Sequence, residues 1–208
     1  LKNKNAVIIS FLDGENLSKI TPEHCKELGL KIAEFTNITK TSKLSRINSL
    51  GYDNWIKIYE SCKHANDNSY KEYYEVLDKE LIYLKNNWPI NLPKAIIHAD
   101  LFVDNVLFKN NKISGIIDFY FSCSDFIAYE LALTANDWCF NKDGIFNIDN
   151  FNSLIMGYNN ISSLNYEEKA SMNVLFRGAA VRILVTRLYD KIFHPNEGLN
   201  ELKDPEEY

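Results

Sequence analysis

Between residues 96 and 126 the chain reads IIHADLFVDNVLFKNNKISGIIDFYFSCSDF, with Asp100, Asp104, Asp118, Asp125, His98 and Asn105 set at the ends of short apolar runs. An unpaired buried carboxylate costs several kcal/mol or takes up a proton. Acids grouped in this way therefore imply a cation that neutralises them. An amide oxygen with carboxylates, no thiolate and a single imidazole is a hard-oxygen set suited to Mg²⁺. Mg²⁺ keeps coordination positions open for phosphate oxygens, so these residue types point to chemistry on a nucleotide.

For the acids to act together, the backbone must gather them. His98 and Asp100 end a strand, "AIIH", and Asn105 opens the next, "NVLF". Asp118 closes its partner, "ISGIID". The intervening "KNNK" suits a tight hairpin turn at Asn110-Asn111, because Asn tolerates positive φ. Folding there brings residues 105 and 118 together across the strand pair, so Asp100, Asn105 and Asp118 can converge.

Helices supply the rest of the frame. Thr21 and Pro22 read as N-cap and first helical residue, followed by an apolar face at Cys25, Leu28, Ile32 and Phe35. Residues 36–50 read as a polar loop. Tyr70, Tyr73, Leu77, Leu81, Leu84 and Trp88 give a long amphipathic helix that stops before Pro89. Helical spacing returns after residue 124 and continues, past a loop at 143–150, over 151–159 and 166–194. "AVIISFL" at 6–12 reads as a strand ended by Asp13-Gly14, and the polar end from residue 194 as an irregular tail.

The composition narrows the function. The chain has 208 residues, 46% hydrophobic and 25% charged, within the range of an ordinary globular protein. A net charge of −5 argues against nucleic acid or an anionic membrane as main partner. No apolar run approaches the ~18 residues of a membrane span, and no signal peptide is evident. Cys25, Cys62, Cys123 and Cys139 form no C-x-x-C pair, and reduced thiols in a cytoplasmic protein are expected.

"HADLFVDN", followed by "IID" with Asp118 thirteen residues after Asn105, resembles the H-x-D-L-x-x-x-N … D signature of the protein-kinase-like fold, in its aminoglycoside/choline kinase branch. The wider stretches "FLDGENLSKITPEHCKELG", "IDFYFSCSDFIAYELALTANDWCF" and "RGAAVRILVTRLYD" are similar to the bacterial homoserine kinases of that branch. The likeness runs from about residue 7 to residue 208. It implies an α+β fold: a mainly helical C-terminal lobe with a small antiparallel β-hairpin carrying the catalytic and metal-binding loops. It also implies phosphoryl transfer from ATP, with Mg²⁺, to the hydroxyl of homoserine, a step of threonine biosynthesis. Asp100 takes the place of the catalytic carboxylate, and Asn105 and Asp118 those of the metal ligands.

By the same resemblance, residues 1–12 are the last strand of an N-terminal lobe and the hinge. Backbone groups of Ile9, Ser10, Phe11 and Leu12 would meet the adenine, and 13–208 form the catalytic lobe. No G-x-G-x-x-G is present and no strand Lys precedes the motif. The expectation is therefore a fragment whose partner is the missing N-terminal lobe of the same protein, inactive by itself.

Several site assignments carry a plainer alternative. His98 reads as a brace for the loop, Asp104 as a loop cap, and Glu130 as a tolerated replacement for an Asp. Asp125 either caps the helix at 126 or faces the substrate. A zwitterionic acceptor needs an Arg and an acid. Arg177, Arg182 and Arg187 lie five residues apart, ~500° of rotation, so they cannot share a face. Arg182, flanked by apolar residues, is the substrate candidate, with Asp137 for the ammonium; Tyr120 and Trp138 could wall the pocket. Rival readings are a kinase for choline, an aminoglycoside or methylthioribose, and a non-catalytic lobe. A two-carboxylate glycosidase would leave Asn105 unexplained.

Overall fold

Helix α1 (Pro22–Thr39) begins as the sequence dictates: Thr21 Oγ1 accepts from His24 N at 3.4 Å and Thr21 N donates to His24 Nδ1 at 3.3 Å, closing a capping box ahead of Pro22. The structure is a computed structural model that describes residues 8–65, 67–141 and 143–195. After a loop come α2 (Tyr52–Ala65) and α3 (Lys71–Asn87). The amphipathic segment at 70–88 is thus a helix as expected. Helix α2 was not foreseen: it buries only Trp55, Tyr59 and Cys62, too sparse an apolar stripe to stand out from its polar surroundings.

Strand β1 (Lys94–Ile97) leads into the acidic loop, and β2 (Val106–Lys109) pairs antiparallel with β3 (Lys112–Ile116). Their turn is the expected one, with Asn110 and Asn111 at φ 53° and 58°, which suits a two-residue hairpin. A second pair was not expected. Strand β4 (Cys123–Phe126) runs antiparallel to β1, in register from Ile97↔Cys123 to Lys94↔Phe126. The helical pattern read from residue 124 therefore starts only at α4 (Ile127–Trp138), capped by Phe126 without a side-chain bond, so Asp125 lies in a strand and is not the N-cap.

Helices α5 (Ile148–Tyr158) and α6 (Tyr166–Phe193) complete the order. Asn147 Oδ1 accepts from Asp149 N and Asn150 N, so α5 starts inside the segment read as a loop. The core forms where α6 packs on α2, α3 and α4, while α1 lies along α5. The backbones of α1 and α5 touch: a Cβ at Gly29 would sit 1.9 Å from Leu154 O, and one at Gly157 1.9 Å from Lys26 O. Only glycine fits at those two positions.

The architecture is thus α+β, mostly helical, with two small antiparallel sheets. Residues 8–12 of the expected first strand join no sheet, and Ile8, Ile9 and Phe11 stand exposed. Residues 6–7 of that strand and the tail from 196 lie outside the described residues. No described helix is long and apolar enough to cross a membrane.

Candidate active site

The site is assembled at the open ends of β1 and the hairpin. Ile97 ends β1 in the core, and His98 follows, buried, its Nε2 2.9 Å from Ile117 O and its ring edge-on to Phe119 at 4.6 Å. Burial lowers its pKa, which favours the neutral imidazole, and these contacts fix the ring in place.

Ala99 then turns the chain with φ 62°, a left-handed conformation that a Cβ disfavours by roughly 1–2 kcal/mol. Its N–H donates to Glu130 Oε2 at 2.8 Å. Glu130 is therefore a clamp from α4 on the loop that carries Asp100, where only a tolerated replacement was expected. A lone acid inside the apolar run 127–135 was the available signal.

Asp100 is held on both oxygens. Oδ1 pairs with Arg182 Nη2 at 3.2 Å and Oδ2 accepts from Asn105 Nδ2 at 3.2 Å. The same Nδ2 donates to Asp100 O at 2.8 Å. Burial raises the Asp100 carboxyl above its ordinary range, and the Arg182 charge only partly reverses this. The Asn105 amide nitrogen is thus committed, which leaves Oδ1 as the atom suited to a cation.

Across the hairpin, Ile117 N donates to Asn105 O at 3.0 Å, so Asp118 is carried up beside Asn105 as the register required. Asp118 has φ 61° and ψ 60°, and its Oδ1 accepts from Tyr120 N at 3.4 Å. Its side chain is exposed. Asn105 Oδ1 and the Asp118 carboxylate would offer a cation oxygen donors alone, and among the described residues no group of three or more His, Cys, Asp or Glu could hold a metal. Two oxygen donors with open positions around them would suit Mg²⁺ shared with phosphates better than a closed protein cage would.

The remaining candidates are distributed around this centre. Asp104 is exposed, and its carbonyl accepts from Asn16 Nδ2 at 2.9 Å. Asp137 Oδ2 accepts from Val103 N at 2.8 Å, which gives that acid a role in holding the loop. Asp125 Oδ2 accepts from Asn48 Nδ2 at 2.6 Å. Of the three arginines of α6, Arg182 enters the site, whereas Arg177, five residues earlier, forms a bidentate pair with Glu80 at 2.8 Å and Arg187 is buried. Trp138 is fully buried with Nε1 on Leu101 O at 3.0 Å, so it belongs to the core; Tyr120 is exposed.

The loop 40–51 contributes residues that the sequence did not announce. Arg46 O accepts from Ser124 N and Arg46 N donates to Ser124 Oγ, its Nη1 donates to Tyr120 O, and its guanidinium lies 5.7 Å from the Tyr120 ring centroid. The loop is thereby fixed beside Asp118 and Asp125.

Burial pushes Glu130 up to about 7 from 4.5. A carboxyl whose pKa is higher folded than unfolded stabilises fully below pH ~4.5 and loses that contribution as pH rises to ~7. The loss is on the order of 3 kcal/mol. Thermal melts between pH 4.5 and 7.5 are expected to show a shallower decline in Glu130→Gln than in wild type. Equal slopes would place the titration elsewhere.

The sequence matches the phosphotransferase enzyme family over residues 2–160. It is 43% identical to a homoserine kinase from Parvibaculum lavamentivorans over all 208 residues, spanning 65% of that relative's length. Among solved structures, an ethanolamine kinase from Plasmodium vivax superposes with a TM-score of 0.66 at 16% identity, covering 92% of this chain and 62% of that one. An amicoumacin kinase solved with AMP-PNP and Ca²⁺ gives a TM-score of 0.64 at 12% identity, covering 89% of this chain and 57% of that one.

Proposed function

Because the chain belongs to the phosphotransferase enzyme family, we propose that the complete protein transfers the γ-phosphoryl group of Mg·ATP to the hydroxyl of L-homoserine, giving O-phospho-L-homoserine in the cytoplasm. The observation that carries this reading is the convergence of Asp100, Asn105 and Asp118 through the Asn105–Asp100 and Ile117–Asn105 bonds. The similarity to a homoserine kinase supports the choice of acceptor.

In this reading Asp100 receives the acceptor hydroxyl and aims it along the line of attack, taking its proton as the bond to phosphorus forms. Both its oxygens are already tethered, so little reorganisation is needed. Asn105 Oδ1 and the Asp118 carboxylate would hold Mg²⁺, which supplies charge neutralisation for the phosphates. Backbone groups of Ile9, Ser10, Phe11 and Leu12 would meet the adenine; their lack of sheet partners leaves them available. We assign the phosphate cover and a phosphate-binding Lys to the length of the relatives that this chain does not span.

For the acceptor's own charges, Asp125, oriented by Asn48, is the proposed partner of the ammonium, with Asp137 behind the loop. Arg46, exposed and without a carboxylate partner among the described residues, is the proposed partner of the carboxylate. The deciding experiment offers the complete protein Mg·ATP with homoserine, choline or an aminoglycoside. Homoserine should give the highest kcat/KM. Turnover of choline without turnover of homoserine would remove the acceptor from this reading, and no transfer to any of them would remove the kinase itself.

A further inference from the structure

We propose that Arg182 is a positioning residue for Asp100 rather than the group that reads the acceptor's carboxylate; this rests on the phosphotransferase reading above. Arg182 is 4% exposed and projects from α6, whose packing on α4 fixes its origin. Its guanidinium carbon lies 5.8 Å from the centroid of the Phe121 ring, so the fork has an aromatic wall beside it. Nη2 reaches Asp100 Oδ1, while Nη1 is buried and finds no hydrogen-bond partner among the described residues.

Carboxylate recognition by arginine uses two parallel N–H bonds from an open fork. Arg182 offers no such face: one arm is committed to Asp100 and the other is enclosed. What it does supply is the second of two restraints on a single carboxylate. Asn105 holds Oδ2 from the hairpin and Arg182 holds Oδ1 from the helical body. Together they fix the plane of the Asp100 carboxylate across two separately packed units of the fold. Groups carried on packed helices and strands hold a reacting geometry more tightly than groups on loops.

The pair also has a cost. A buried guanidinium whose hydrogen bond within the site goes to Asp100 is left poorly compensated when that partner is removed, so the two residues should be coupled in stability as well as in rate.

The test uses the complete protein with Mg·ATP and L-homoserine, comparing wild type, Arg182→Met and Arg182→Lys. For Arg182→Met, kcat is expected to fall ~100-fold, the scale of an ångström-level misplacement, with KM for homoserine within about 3-fold of wild type on the same ground. Arg182→Lys should recover part of the kcat, since an ammonium can still bind one oxygen. A KM raised tenfold or more at near-normal kcat would overturn the proposal and make Arg182 the carboxylate reader. Unchanged kcat and KM would overturn it as well.

Melting temperatures of Arg182→Met, Asp100→Ala and the double variant give a readout independent of turnover. The double variant should lie above the sum of the two single losses; strict additivity would refute the pairing. If wild type phosphorylates no acceptor, the functional reading fails while the melting comparison still decides the pair.

Discussion

Asp100→Ala in the complete protein is expected to lower kcat for phosphate transfer by about 10²–10⁴-fold, the range for a positioned acid–base group. That is ~3–5 kcal/mol of transition-state stabilisation. The size follows from how much is organised around this one carboxylate. Asn105 donates its amide nitrogen to the carboxylate and to the Asp100 backbone carbonyl, and Arg182 contributes a buried charge. Glu130 holds the preceding Ala99 in a disfavoured conformation. A structure that commits two residues to one side chain and a third to the backbone turn before it gains nothing from that arrangement unless the side chain's direction matters. Nucleotide affinity, read by displacement of a fluorescent ATP analogue, should change little. A variant that retains wild-type kcat would remove Asp100 from the reaction.

Asp118→Asn is expected to cost roughly 10³-fold or more in kcat/KM, because neutralising phosphate charge by a bound cation is worth several kcal/mol. Asparagine is the informative replacement. Residue 118 sits at φ 61° and accepts from Tyr120 N. Asn tolerates that backbone and keeps an acceptor oxygen, so the change isolates the charge. Alanine would add strain and lose the turn bond. The measurement is a Mg²⁺ titration of initial rate, in which the half-saturating concentration should rise steeply in the variant. An unchanged Mg²⁺ dependence would remove Asp118 from the metal site.

These two residues were legible in the sequence because their placement is local. Asp100 and Asn105 lie in one loop, and a two-residue Asn turn decides where Asp118 arrives. The groups that orient them act across long stretches of chain: Glu130 on Ala99 over 31 residues, Asn48 on Asp125 over 77, and Arg182 on Asp100 over 82. Periodicity cannot report contacts of that kind. Ala99 also carries no sign of its positive φ, since alanine is not a residue chosen for that region. Strand β4 escaped notice for a different reason. It has four residues, buried at both ends and half-buried between, without the alternation that marks a strand. Arg182 was singled out by its apolar neighbours, and its burial follows from them, yet its partner was not visible.

The cysteines set a further property of the molecule. Cys25 lies in α1, Cys62 in α2, Cys123 in β4 and Cys139 just past α4, and all are free and buried. Burial pushes the Cys62 thiol up to about 11 and that of Cys123 to about 12, so neither holds appreciable thiolate near neutral pH. An alkylating reagent can therefore reach each sulfur only when its own segment opens. Cys25 of α1 and Cys139 past α4 meet side chain to side chain, so the four sulfurs report three places, and the order in which they react records the order in which this fold comes apart.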